Sequence, residues 1–259
     1  MKQRWIGRMG VAFVALTVVA VGCGDDGSTT TSTPSATTAT AAGPPQFAAG
    51  TAMATIQTKG KLSVGTKFDQ PLFGLKNPTN GQVEGFDVEV AKIIARAIFG
   101  SDITNKVEYQ EATSKVRETV IQDGKVDIVV ATYTINDERK QVVSFAGPYY
   151  IAGQSILTLK KNKDIQTDAD LDGKKVCTVA GSTPEATLIA KYPKTKVVPF
   201  STYSDCIEPL RNGQVDAIST DNVILAGFAA DNDDLEVRGE PFTEEPYGIG
   251  VKKDDTDFR

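Results

Sequence analysis

Histidine is absent from the 259 residues. Its absence removes histidine-dependent triads, imidazole general bases and most zinc sites from consideration. Long apolar runs are also missing. The longest, Val11 to Gly22, is about a dozen residues, whereas a spanning helix needs about 20. Positive charge is in deficit, with a net charge of −5, which argues against a nucleic-acid or anionic-lipid surface. Cysteine is scarce, and apart from Cys23 only Cys177 and Cys206 occur. In an exported chain such an isolated even pair favours one disulfide over two free thiols.

Export is what the N-terminus suggests. Lys2, Arg4 and Arg8 precede the short apolar run, and small residues lead to Cys23, which is the layout of a cleaved signal. Ala20, Val21, Gly22 and Cys23 resemble a bacterial lipobox, with Ala20 standing where Leu is usual. The alternative is an uncleaved anchor in which Cys23 is merely buried. Gly27 to Pro45 is Thr, Ser, Ala and Pro with almost no bulky apolar side chain. Such a segment cannot bury enough surface to offset its ordering entropy, so a disordered tether is expected. The expected division is a signal peptide at 1–22, a lipidated cysteine and linker at 23–50, and a folded part beyond it of roughly 210 residues.

In the folded part, Leu62 to Thr66 reads as a first strand ending in the polar–aromatic loop Lys67, Phe68, Asp69, Gln70, Pro71. From Gly85 to Gly100 a helix is expected. Val90, Ile93, Ile94, Ala97 and Ile98 fall on its inner face, Asp87 and Glu89 suit its N-terminus, and Gly100 is its cap. A short strand at Val107–Tyr109 precedes a helix opening at Thr113 or Ser114, with Val116, Val120 and Ile121 inward and Arg117 in its first turn. Alone, Arg117 reads better as a solvated surface residue.

Val126 to Val130 is an apolar, β-branched run suited to a strand buried on both faces. The character then flips to Thr132, Tyr133, Thr134, Asn136, Asp137, Glu138 and Arg139. Thr or Asn followed by Asp and Glu marks a helix start. Hydroxyls, backbone N–H groups and a guanidinium so placed outline a carboxylate site; an ordinary capped helix with a surface arginine fits equally well. Further on the pattern restarts. Strands are expected at Ser155–Lys160, Lys175–Val179, Lys196–Phe200, Val215–Thr220 and Glu236–Arg238. Helices are expected after Pro184, over Tyr203–Asn212 and after Asp221, and Pro246–Val251 reads as a return segment. The segments IQDGKVDI (121–128) and LRNGQVDAI (210–218) form a quasi-repeat. Two α/β units of one plan therefore follow each other. Their polar strand ends, Lys67 and Thr132–Thr134 in the first and Thr183 and Asp221 in the second, face a shared cleft.

The chain resembles the family 3 extracellular solute-binding proteins of polar amino-acid ABC importers. The resemblance is carried by GFDVEVAKIIARAI (85–98) and covers Lys61 to about Lys253. Its segments GTKFDQP, ATYTINDERK, GSTPEA and STDNVILAG look most like actinobacterial glutamate-binding lipoproteins. It implies an α/β fold of the periplasmic-binding-protein type, two lobes joined by hinge strands with a ligand cleft between them. Lobe 1 would comprise 51–149 plus 247–259, and lobe 2 would comprise 150–246. Family members continue into further helices, so a truncated first lobe is expected.

Residue by residue, the resemblance implies that Arg139 grips the ligand α-carboxylate in bidentate fashion, completed by Thr134 and by Thr183 from the other lobe. Asp221 would accept the α-ammonium, helped by Thr132. Lys67 and Arg117 sit where acidic-amino-acid binders hold the distal carboxylate, Tyr203 would add a phenol hydrogen bond there, and Phe68 would wall the pocket. Structural roles are open for several of them: a helix cap for Asp221, a turn residue for Thr183, and packing for Tyr203 and Phe68. Cys177 and Cys206, on a strand and a neighbouring helix of one lobe, are placed to pair. The expected function is capture of glutamate or aspartate by a lipid-anchored monomer at the outer face of the membrane, for delivery to an ABC permease and its ATPase subunits. No cofactor, metal or nucleic acid is involved. A glutamine or asparagine binder and an amino-acid sensor are the alternatives. An enzyme on this fold is disfavoured, because without histidine its acids and bases shrink to carboxylates already engaged as salt-bridge partners.

Overall fold

Two five-stranded sheets carry the folded chain in the computed structural model, which describes residues 44–258. The signal-like start, Cys23 and nearly all of the expected tether fall outside the described residues. In the first sheet, Leu62–Thr66 runs parallel to Val107–Glu111 on one side and to Ile128–Val129 on the other. Glu245–Lys252 follows, antiparallel to Ile128–Val129 and to the ten-residue strand Val143–Ala152 at the edge. In the second sheet, Lys175–Val179 lies parallel between Lys196–Phe200 and Ala217–Asp221. Gln154–Leu159 and Leu235–Arg238 complete it, each antiparallel to its neighbour. Each sheet thus places its three parallel strands in chain order 2-1-3 and then adds two antiparallel ones. That is the shared plan anticipated from the quasi-repeat.

The chain passes from one sheet to the other at Gly153, between Ala152 and Gln154, and returns through residues 239–244 into Glu245. Apolar clusters on both faces hold each sheet. Leu62, Val64, Ile98, Ile128 and Val130 belong to one such cluster in the first lobe; Leu157, Cys177, Ile218, Leu225 and Phe228 belong to one in the second. Phe73, Ala152 and Tyr247, with Tyr149, Tyr150 and Val223, form a smaller cluster where the lobes join.

The helix Phe86–Phe99 differs from expectation in the face it buries. Val88, Ala91, Ala95 and Ile98 are inward, whereas Ile93 is 62% exposed and Ala97 is on the solvent side. Small alanines let the helix axis approach the sheet closely, and the rotation carries Asp87 inward to full burial. Gly85 is required before it: at φ 132° a Cβ would collide with the Phe73 carbonyl. The next helix begins at Arg117 rather than Thr113 or Ser114, so Val116 is 37% exposed and Arg117 takes the inner position.

Cys177, on Lys175–Val179, the middle of the second sheet's three parallel strands, is joined by a disulfide to Cys206, with Cα atoms 5.9 Å apart and a sequence separation of 29. Cross-linking a loop of that size contributes about 3–4 kcal/mol by loop-closure entropy. Thermal melting with and without reductant checks this: reduction should lower the second lobe's stability by about that amount, and an unchanged melting curve would show the bond to be energetically idle.

Candidate ligand-binding site

Buried polar side-chain atoms normally find partners, yet in this protein several do not, and they collect in one region. Thr66 Oγ1, Gln70 Nε2, Arg117 Nε, Gln154 Oε1, Thr178 Oγ1, Thr220 Oγ1 and Asp221 Oδ1 are buried and unpartnered among the described residues. Thr66, Thr178, Thr220 and Asp221 close parallel strands at their carboxyl ends. Gln154 opens an antiparallel strand in register with Asp221. Gln70 ends the short strand Asp69–Gln70 just past Thr66, and Arg117 opens the helix that follows Val107–Glu111. In open α/β sheets this edge is where ligands bind.

Three cations meet there from the first lobe. Lys67, 3% exposed, donates from Nζ to Ser114 Oγ at 3.0 Å. Its pKa is lowered to about 7, chiefly because burial penalises the charged form and next because Arg117 is close. Asp69 and Asp87 act in the opposite sense without overcoming this. Arg117 donates from one terminal nitrogen to the carbonyls of Ala131 and Thr132 at 2.9 and 3.1 Å. The surface reading of Arg117 is therefore wrong: it is 2% exposed. Arg139, at the first turn capped by Asn136, donates to Thr134 O at 2.7 Å and, across the cleft, to Gly181 O at 3.2 Å. Its Nε lies 3.4 Å from Glu118. One N–H on each terminal nitrogen is left over, which is the pair that a bidentate carboxylate requires. Burial, then Arg117, lowers the Arg139 pKa to about 10.

The counter-charge comes from the second lobe. Asp221 sits at the N-cap of Asn222–Asp231 but makes no side-chain cap bond. Its Oδ2 accepts instead from Tyr247 Oη at 2.5 Å, while Oδ1 is unpartnered. Burial, then the nearby Glu245, raises its pKa to about 7. Glu245 is itself buried where the chain re-enters the first lobe, accepting from Thr183 Oγ1 and Thr243 Oγ1, both at 2.8 Å. Thr183 Oγ1 also stands 3.4 Å from Thr134 Oγ1, so both threonines of the expected carboxylate grip meet at the junction. Tyr203 is buried in the second lobe's core, and burial, with Asp221 adding to it, raises its phenol to about 12.

Thr132 adopts φ +46°, unusual for a β-branched residue. Asp87 holds it there: Oδ2 accepts from Thr132 N at 2.7 Å and Oδ1 from Tyr149 Oη at 2.6 Å. Burial raises the Asp87 pKa to about 6, against those two hydrogen bonds. The Thr132 hydroxyl donates to Gln70 Oε1 at 3.0 Å or Ala131 O at 2.8 Å. Sequence reasoning missed Gln70, Glu245 and Tyr247, and assigned Asp87 to the helix dipole. For Asp87 a signal existed, since it stands four and eight residues before Ala91 and Ala95, on the helix's inward row. Phe68 does not turn inward: it lines an outer recess of about 800 Å³ with Lys76 5.2 Å from its ring. That recess has no unpartnered buried polar atom. A smaller groove of about 460 Å³ opens onto Arg139 and Thr183 from outside.

One guanidinium with two free N–H groups facing one carboxylate with a free oxygen is a device for holding a zwitterion. Comparisons with known proteins give the family. The model of the bacterial extracellular solute-binding proteins, family 3, matches residues 62–259. The ABC transporter glutamine-binding protein GlnH of Bacillus subtilis is 45% identical over 202 residues, 78% of this chain and 73% of that protein. The glutamate-binding protein GluB of Corynebacterium glutamicum is 43% identical over 206 residues, 76% of this chain and 69% of that one. Among solved structures, holo ArgBP from T. maritima superposes with a TM-score of 0.72 at 35% identity, covering 79% of this chain and 88% of that chain. Among the described residues no helix is long and apolar enough to cross a membrane.

An ammonium beside Asp221 needs the ionised carboxylate, whose pKa in this geometry is about 7. Protonation below that value removes the partner, so affinity for any α-amino acid should fall as pH drops through 7, approaching ten-fold per unit. Calorimetry from pH 5 to 8 checks it; affinity independent of pH would show that Asp221 is not the ammonium partner.

Proposed function

This chain belongs to the bacterial extracellular solute-binding proteins, family 3, and from that membership we propose that it is the substrate-binding component of an amino-acid ABC importer whose ligand is an acidic L-amino acid, glutamate or aspartate. The family is one of binding proteins, not enzymes. In this reading Arg139, Thr134 and Thr183 hold the α-carboxylate, Asp221 and Thr132 the α-ammonium, and Lys67 and Arg117 the distal carboxylate, with Tyr203 behind it. The lobes close over the ligand by hinge motion at the two crossings and present it to the permease and its ATPase subunits. The lipobox-like Cys23, with the tether at 23–50, supports anchoring at the outer face of the membrane.

One observation carries the acidic preference. Lys67 and Arg117 are both buried, and neither has a carboxylate partner within 4.0 Å among the described residues. A buried cation without a partner costs several kcal/mol. A distal carboxylate removes that cost where a carboxamide removes little of it, and a cationic side chain such as arginine would add to it. A glutamine-binding reading is the second candidate. It is favoured by the 45% identity to GlnH and by the unpartnered hydroxyls of Thr178 and Thr220, which suit a carboxamide.

Calorimetry with glutamate, aspartate, glutamine and asparagine separates the two. Tighter binding of glutamine than glutamate would overturn the acidic reading. Arg139→Ala should abolish binding of every amino acid. Arg117→Ala should weaken glutamate by roughly 100-fold or more, as for loss of a buried charge partner, and glutamine far less; equal losses would mark Arg117 as structural. A second expectation follows from Lys67, which must be protonated to hold an anion. As pH rises through about 7, glutamate affinity should fall while glutamine affinity holds, and Lys67→Met should abolish that alkaline limb. A persisting limb in Lys67→Met would assign it elsewhere.

A further inference from the structure

Tyr133 lies between the two carboxylate-binding arginines in the proposed site and has no assigned role there. Its ring is fully buried, 4.8 Å and edge-on from Phe145, and packed so closely on Gly250 that a Cβ there would sit 2.7 Å from it. Its backbone is fixed on the return strand, with Gly248 N donating to Tyr133 O at 2.9 Å and Ile135 N to Pro246 O at 2.7 Å. The Cζ of Arg117 stands 4.3 Å from the ring centroid and that of Arg139 stands 5.1 Å from it. The phenol donates to Glu118 Oε1 at 2.8 Å, the oxygen that also lies 3.4 Å from Arg139 Nε. Burial raises the phenol's pKa, so it remains a donor at every working pH.

Two guanidiniums this close repel each other, and aqueous side chains would move apart. The negative ring face attracts both, and Glu118 fixes the far side of one. We propose that Tyr133, with Glu118 at its hydroxyl, is a positioning residue that sets the separation between the Arg139 guanidinium and the Arg117 guanidinium, and thereby selects the ligand by the distance between its two carboxylates. This rests on the acidic-ligand reading and deepens it. Neither residue need touch the ligand. A dicarboxylate one methylene too short or too long reaches only one of the two fixed forks, so glutamate and aspartate are told apart by a ruler anchored on an aromatic ring.

The test is calorimetry of the full chain with glutamate, aspartate and glutamine, alongside thermal melting without ligand. In the unaltered protein, glutamate and aspartate affinities should differ by at least ~10-fold, the value of about one methylene; equal affinities overturn the ruler. Tyr133→Leu should bring their ratio within about three-fold of one, whereas Tyr133→Phe, which keeps the ring, should preserve the ratio and weaken both by about five-fold. An unchanged ratio in Tyr133→Leu overturns the proposal. Should Tyr133→Leu fail to fold, Glu118→Ala, on a partly exposed side chain, decides. It should weaken both acidic ligands by about five-fold with an unaltered melting temperature, and unaltered or tighter binding overturns the proposal. Tighter binding of glutamine than of either acid in the unaltered protein would instead remove the acidic reading itself, whatever the variants do.

Discussion

An ion taken out of water and left without a partner costs several kcal/mol, and Lys67, Arg117 and Asp221 occupy that position at the facing edges of two sheets. Structural ion pairs would relieve the cost. Instead, Lys67 leans on a serine hydroxyl, Arg117 on two carbonyls and a tyrosine ring, and Asp221 on the phenol of Tyr247. Each neutral partner orients its charge without neutralising it. Depressed and elevated pKa values near 7 at Lys67 and Asp221 are the electrostatic signature of the arrangement. Perturbed titration of this kind concentrates at functional sites.

The remaining architecture serves to hold those charges still. Both sheets deliver their strand ends to one edge, and antiparallel return strands lock each lobe beside its crossing. The disulfide secures the start of the short helix behind Tyr203 to the strand Lys175–Val179. Contacts between the lobes combine the apolar cluster of Phe73, Tyr247 and Val223 at the junction with polar ones across the cleft. Besides Arg139 to Gly181 and Thr134 to Thr183, Asp69 Oδ2 accepts from the backbone N of Tyr203 at 2.9 Å. Polar contacts of this kind exchange readily with water, which suits the proposed opening of the lobes to admit a ligand. Specificity in the proposed reading is divided accordingly: Arg139 and Asp221 recognise what all amino acids share, and the Lys67–Arg117 pair recognises the side chain.

Much of this was legible in the sequence, for identifiable reasons. Leu62–Thr66, Lys175–Val179 and Lys196–Phe200 form strands with the expected bounds, because parallel strands of an α/β sheet are short, apolar or β-branched, and bracketed by turn residues. Asn136 caps the turn bearing Arg139 as its position before Asp and Glu indicated. The inner face of Phe86–Phe99 was misjudged because hydropathy favours isoleucines, whereas close helix–sheet approach selects Ala91 and Ala95. From local pattern alone Arg117 read as a surface group, its place in the pocket coming only from the resemblance, and Asp87 read as a helix-dipole partner, because their inward orientation depends on carbonyl and amide partners about 14 and 45 residues away, at Ala131 and Thr132. The small three-stranded sheet Asp69–Gln70, Gly74–Lys76 and Val83–Glu84 was invisible, since two- and three-residue strands leave no period to detect. Glu245 and Tyr247 matter through their placement at a crossing, which no local pattern encodes.

A crystal structure with glutamate bound tests the central claim, that unpaired buried charge defines the ligand. The charge layout requires the α-carboxylate on Arg139, the ammonium on Asp221 Oδ1, and the distal carboxylate within hydrogen-bond distance of Lys67 Nζ or the Arg117 guanidinium. A distal group resting instead on the hydroxyls of Thr178 and Thr220, with Lys67 still on Ser114 and Arg117 still on the Ala131 and Thr132 carbonyls alone, would contradict it.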